Sequence, residues 1–176
     1  MPDSPLNGNW TYRSFLNQSE MVDGDPQKAL ALIFGEGALS INVTSATSFK
    51  AILDFGGGAA MDLYGTIVAG TAIAPEVLII TGAGREGAST AKWVYQYLGY
   101  VVPQWPQGVR QVPAIVGTIV RTIPHGGGPA GVVASFVIVR KIDGSELMEK
   151  AFQRHDAIAR HQHRIFFHPP AGVVHP

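Results

Sequence analysis

No cysteine occurs in the 176 residues, and that absence removes several chemistries at once. Disulfides, thiolate catalysis and cysteine-built zinc sites are all excluded. Charge is scarce as well, at 15% of residues, and the 13 basic and 13 acidic side chains cancel. Such a balance argues against a nucleic-acid partner, which would need a dense basic surface. No apolar run reaches the roughly 18 residues of a membrane-spanning helix, so no membrane partner is expected. The start, Met1-Pro2-Asp3-Ser4-Pro5, has neither a basic segment nor an apolar core, and a cytoplasmic location is expected. With 46% hydrophobic residues, the chain has material for one sizeable core.

A second shortage is local. Between Ala88 and Ile142 there is no Asp or Glu, while Lys92, Arg110, Arg121, Arg140 and Lys141 fall in or beside that stretch. Residues 1–86 hold nine acids and four bases. The overall neutrality is therefore a cancellation between an acidic first half and an acid-free, basic second half, and it poses a question. Either the halves neutralise each other when a sheet closes, or positive charge is left for a ligand.

Helical signal is the third shortage. Asp25-Pro26-Gln27-Lys28 opens one short helix, expected to run to about Phe34, with Asp25 as cap and Pro26 at the first helical position. Gly8 to Asn17 before it alternates as a strand, with Trp10, Tyr12, Ser14 and Leu16 on one face. After it come β-type runs at 38–44, 48–55, 60–68, 76–82, 91–102, 112–123 and 130–141, separated by Gly- and Pro-rich breaks. Eight strands, with one short helix after the first and none among the rest, predict an all-β fold, an eight-stranded antiparallel up-and-down barrel over residues 1–142. Residues 143–176 read as a C-terminal extension, helical at first and then rich in histidine. Both faces of the late strands are apolar, so cover by the extension or by a second subunit is expected, and with it a homo-oligomer.

Val77 to Gly87 contains Gly82-Ala83-Gly84-Arg85-Glu86-Gly87, the spacing of a dinucleotide-binding turn. That turn needs a following helix and, about twenty residues on, an acid for the ribose. The acid-free stretch supplies none, and Trp93-Val94-Tyr95-Gln96-Tyr97 continues as a strand. The glycines are read as a hairpin turn, and no cofactor is expected.

Candidate ligand contacts are Tyr12, Tyr64, Trp93, Tyr95, Tyr97, Arg121 and His125. Aromatic side chains bring contact area with a polar handle, and a barrel of this size holds side chains or one small ligand. Arg121 is the most informative, because a guanidinium between Ile119 and Ile123 on one strand face needs an acceptor if it points inward. That acceptor is either an acid such as Glu36, Asp54 or Asp62, or an anionic ligand. His125, beside Gly126-Gly127-Gly128, has the chemistry of a general base near neutral pH. In the extension, His161 and His163 form a His-x-His pair that suits a transition metal by ligand type, although the spacing matches no established motif.

The opening Gly8-Asn9-Trp10 resembles the Gly-x-Trp first strand of the calycin superfamily, which comprises lipocalins, fatty-acid-binding proteins and avidin-like barrels. The later strands, Ala91 to Gly99, Ile115 to Thr122 and Val132 to Lys141, look most like the closing strands of an avidin-like barrel. The resemblance implies a ligand-binding barrel in which Trp10 closes the bottom. It does not imply biotin, since the biotin-contacting pattern finds no counterpart here. Three functions follow as expectations. The leading one is a small-molecule-binding barrel for a partly apolar, possibly anionic ligand. The second is a barrel enzyme, an isomerase, lyase or decarboxylase acting on a small organic acid through Arg121, His125 and a tyrosine. The third is a structural or oligomerisation module with a solid barrel.

Overall fold

The computed structural model describes residues 4–19, 23–109 and 111–142. The eight strands follow one another as β1 (Gly8–Leu16), β2 (Ile33–Ser45), β3 (Ser48–Gly56), β4 (Ala59–Val68), β5 (Val77–Gly84), β6 (Val94–Val101), β7 (Ala114–Arg121) and β8 (Val133–Arg140). Each pairs antiparallel with its neighbours in chain order, and β8 returns to β1 from Trp10↔Arg140 to Leu16↔Ala134. This is the expected closed eight-stranded barrel, and it fits the calycin-like fold class. The barrel unit runs to Lys141. The helix expected from Asp143 and the histidines at 161 and 163 lie outside the described residues.

Closure follows from strict alternation. Every strand sends one set of side chains inward, and Trp10, Leu53, Met61, Leu78 and Ile115 are almost completely buried. Glycines on the inner face are filled by neighbours: the Phe49 ring lies over Gly65, and Leu63, Met61 and Tyr97 crowd Gly82. Tyr12, Tyr97 and Phe136 form a ring cluster across the barrel, with centroids 5.8–6.5 Å apart. The middle of the barrel is therefore a packed layer.

Helix α1 (Pro26–Ala31) is shorter than the sequence predicts. Asp25 Oδ1 accepts from the Gln27 and Lys28 amides, as expected of the cap, but no α1 side chain is buried to extend the helix. Ile33 and Phe34, β-type residues, are drawn into β2 instead, where Leu16 N–H donates to Leu32 O at 2.9 Å and Phe15 pairs with Ile33. Two further boundaries move inward for local reasons. β6 starts at Val94 because residues 88–93 turn, with Lys92 at φ 71°. β7 starts at Ala114 because Pro113 has no N–H to give the ladder.

The outer wall is of two kinds. Across β1–β4 it carries Arg13, Glu36, Lys50, Asp54 and Asp62, with Arg13 paired to Glu36 and Asp62 to Arg85. A wall with mid-strand charges of this sort is the reverse of a lipid-facing band. Across β5–β8 no outward position carries Asp, Glu, Lys or Arg. Among the described residues, no helix is long and apolar enough to cross a membrane.

Candidate functional site

The two ends of the barrel differ in chemistry. At one end Trp10 is 1% exposed, its indole N–H donates to Leu6 O at 3.1 Å, and the Arg140 guanidinium lies over its ring. Arg140 also donates to Pro5 O at 2.6 Å, so this end is sealed by the N-terminal segment. Trp10 thus occupies the closing position that the Gly-x-Trp resemblance implies.

The opposite end gathers most of the residues singled out from the sequence. Tyr95 on β6 and Arg121 on β7 are direct cross-strand partners, both on the inner face. After β7 the chain turns back sharply: His125 and Gly128 exchange backbone hydrogen bonds around Gly126 and Gly127, whose φ values of 56° and 76° define a primed two-residue turn. This hairpin drops the His125 ring onto Trp93, stacked at 4.7 Å, and sets its Nε2 2.8 Å from the Tyr95 hydroxyl. His125 Nδ1 is 2.9 Å from Ile123 O. A carbonyl only accepts, so Nδ1 carries the proton and, in the neutral ring, Nε2 accepts from the Tyr95 O–H. Burial pushes the His125 pKa below its ordinary 6.5, and the Arg121 charge pushes the same way, partly opposed by the bond to Ile123 O.

Arg121 is held by shape more than by charge. Its guanidinium lies over the Phe34 ring, 5.5 Å from the centroid, and presses against Gly128, where a Cβ would overlap it. Nη1 reaches Pro129 O at a long 3.4 Å, and Nε is buried with no acceptor among the described residues. None of the acids proposed from the sequence reaches it. Glu36 pairs with Arg13, Asp62 with Arg85, and Asp54 accepts from the Gly56 amide. The two halves of the chain therefore do not neutralise each other at Arg121.

Three residues of this mouth were not singled out from the sequence. Phe34 is the extra residue of a β-bulge, since Gly35 pairs with Ser14 and Ile33 with Phe15, and the bulge turns its ring over Tyr95 and Arg121. Phe55 packs on Trp93 at 6.0 Å. Thr90, fully buried, donates to Ala60 O at 2.5 Å and accepts from the Arg85 amide, anchoring the β5–β6 loop that carries Trp93. The Gly-x-Gly-x-x-Gly segment straddles this connection, with Gly82 and Gly84 ending β5 and Gly87 in the loop, and it is a hairpin leading into β6 with no helix, as expected.

The remaining candidates stand elsewhere. Tyr12 and Tyr97 lie below the mouth in the packed layer, and burial raises both phenol pKa values, keeping the hydroxyls protonated. Tyr64 points outward from β4 and is half exposed, beside Asn42, Lys50 and Asp62 on the charged wall. It takes no part in the mouth. No group of three or more potential metal ligands occurs among the described residues.

No family model, curated protein or solved structure matches this chain. The functional reading rests on the mouth itself. It offers one cation with spare donors, one neutral imidazole coupled to a phenol, and aromatic walls from Phe34, Phe55 and Trp93. Such a set has the chemistry to hold a flat or apolar body carrying a negative group, with Tyr95 and His125 as its acid–base pair.

Proposed function

We propose that the protein binds a small, partly apolar organic anion at the aromatic end of the barrel, its carboxylate or equivalent group on Arg121 and its apolar part against Phe34, Phe55 and Trp93. The observation that carries this reading is the buried, unpartnered Nε of Arg121. A buried N–H of a charged group without an acceptor costs on the order of 1–3 kcal/mol, and an anion would relieve that cost. The packed layer of Tyr12, Tyr97 and Phe136 sets the floor, so the ligand sits over the barrel instead of deep within it. Membership of the calycin superfamily is part of the proposal, supported by barrel closure and by Trp10 at the sealed end.

The test is a thermal-shift and calorimetric series with benzoate, phenylacetate and hexanoate against the matching uncharged amides. Carboxylates raise the melting temperature, amides do not, and Arg121→Gln removes the effect. Failure of every carboxylate, or retention of the effect by Arg121→Gln, overturns the assignment.

A second reading, an enzyme acting on the same class of acid, is favoured by one observation: the 2.8 Å contact between the Tyr95 hydroxyl and His125 Nε2. With Nδ1–H fixed on Ile123 O, His125 Nε2 can take the Tyr95 proton, and the Tyr95 phenolate oxygen so formed can take the α-proton of a bound ligand. Under this reading Tyr95→Phe and His125→Asn leave carboxylate affinity within about twofold but abolish exchange of the ligand's α-proton with deuterated water, followed by NMR. No exchange in the unaltered protein leaves the mouth as a binding site alone.

A further inference from the structure

The barrel's second unexplained feature is the uncharged half of its outer wall. The outward side chains of β5–β8 are Val, Ile, Leu, Ala, Thr, Ser, Gln and Tyr, and not one is Asp, Glu, Lys or Arg. Among the described residues, the bases of this half of the chain stand elsewhere: Arg121 and Arg140 turn inward at strand ends, Lys92 sits in a loop and Lys141 follows β8. What remains is an uncharged, largely apolar surface, interrupted only by the neutral polar side chains of Thr81, Gln96, Thr118 and Ser135. Ile79, Leu98, Tyr100, Val116 and Val133 are each 39–50% exposed, although all are large apolar side chains. The register places Ile79 beside Leu98 and Tyr100 beside Val116, while Val133 lies beside Val120.

We infer that this wall is the face on which a second copy of the same chain docks. Four strands of eight residues, at about 3.3 Å per residue and about 4.8 Å between strands, give about 500 Å² measured around the curved backbone wall. Side-chain relief makes the accessible surface larger, which approaches the roughly 800 Å² per partner of a standard interface. Depletion of charge is what distinguishes the core of such interfaces from ordinary surface. The absence of charge also selects the partner. An unlike protein is usually oriented by complementary charges, and this wall offers none. A copy of itself needs none, because no charged group would meet its own image across a symmetry axis. The charged wall on β1–β4, by contrast, is built to stay in water.

The test uses the full chain in sedimentation velocity over a wide concentration range, with circular dichroism and melting temperature recorded for each variant. Thr118 is outward, exposed and already polar, so Thr118→Lys places a charge in the centre of the wall without disturbing the core. Leu98→Lys is the second variant, and Ile52→Lys, on the outward face of β3, is the control. The expected result is an oligomer for the unaltered chain and for Ile52→Lys. Thr118→Lys and Leu98→Lys are expected to remain folded and to associate on the order of 100-fold more weakly. A monomer at all concentrations overturns the inference, whether the wall is then covered by the C-terminal segment or found on lipid vesicles. So does assembly that both lysine variants leave unchanged. Neither result touches the anion site, which is measured separately through Arg121.

Discussion

Gly128→Ala separates a guanidinium held for a ligand from one that merely supports the fold. An added Cβ would stand 2.9 Å from Arg121 Cζ and would overlap Nη1. Ordinary contact needs about 3.5–4 Å, so the guanidinium must swing away by roughly 1–2 Å. It is the far end of a flexible side chain, and the backbone at Gly128 does not have a positive φ, so the fold accommodates the change. Leaving the Phe34 ring forfeits about 0.5–1 kcal/mol. The loss of unfolded-chain freedom from glycine to alanine returns about 0.4–1 kcal/mol. Stability should therefore change by less than about 1 kcal/mol, seen as a nearly unchanged urea midpoint. Binding responds differently, because a displaced Arg121 no longer aims Nε and Nη1 at the ligand. Losing one charge-assisted hydrogen bond, at about 1.5–3 kcal/mol, weakens benzoate affinity by about 10- to 150-fold in calorimetry. Unchanged affinity refutes the role given to Arg121, and a collapse in stability shows that its contacts are structural.

Further outcomes follow from other contacts. His125 has a folded pKa below its unfolded value of about 6.5, so the unfolded chain binds more protons between the two. Its contribution to stability is complete above pH 6.5 and is lost as pH falls toward the folded value. His125→Asn should flatten that part of the stability profile relative to the unaltered protein, and NMR of the His125 ring should show a midpoint below 6.5. Thr90→Val removes the hydroxyl that donates to Ala60 O and accepts from the Arg85 amide, which should cost about 1–3 kcal/mol by urea titration and increase Trp93 mobility in fluorescence anisotropy. Gly65→Ala should cost about 1–3 kcal/mol, because the Phe49 ring occupies the new Cβ position, and Phe49→Leu in the same chain should recover part of that loss. Additivity of those two changes within about 0.5 kcal/mol would contradict the packing described.

Much of the barrel is legible in the sequence because strand alternation has a period of two and is locally encoded. Trp10-Thr11-Tyr12 and Tyr95-Gln96-Tyr97 declare their inner faces without knowledge of any partner strand. The same logic puts Arg121 on the inner face, in line with Ile115 and Ile119. Phe34 shows where local reasoning fails. Its neighbours look helical, and only the two-for-one pairing of β1 with β2 makes it a bulge residue over the mouth. Tyr64 fails for the opposite reason: its aromatic character suggests a ligand contact inside the barrel, while its register partner Lys50 places it on the charged outer face.

The sequence alone determined the number and period of the strands, the hairpin nature of the Gly82–Gly87 segment, the helix cap at Asp25 and the separation of charge between the two halves. These depend on residues near one another in the chain. Only the tertiary structure decided which polar groups meet. Barrel closure brought Tyr95 beside Arg121, folded His125 back onto both Tyr95 and Trp93, left Glu36 and Asp62 paired on the outer wall, and left Arg121 Nε without an acceptor among the described residues. The physical reason is that hydrogen bonding and charge pairing act over a few ångströms in space, and residues far apart in the chain acquire such distances only when the sheet closes.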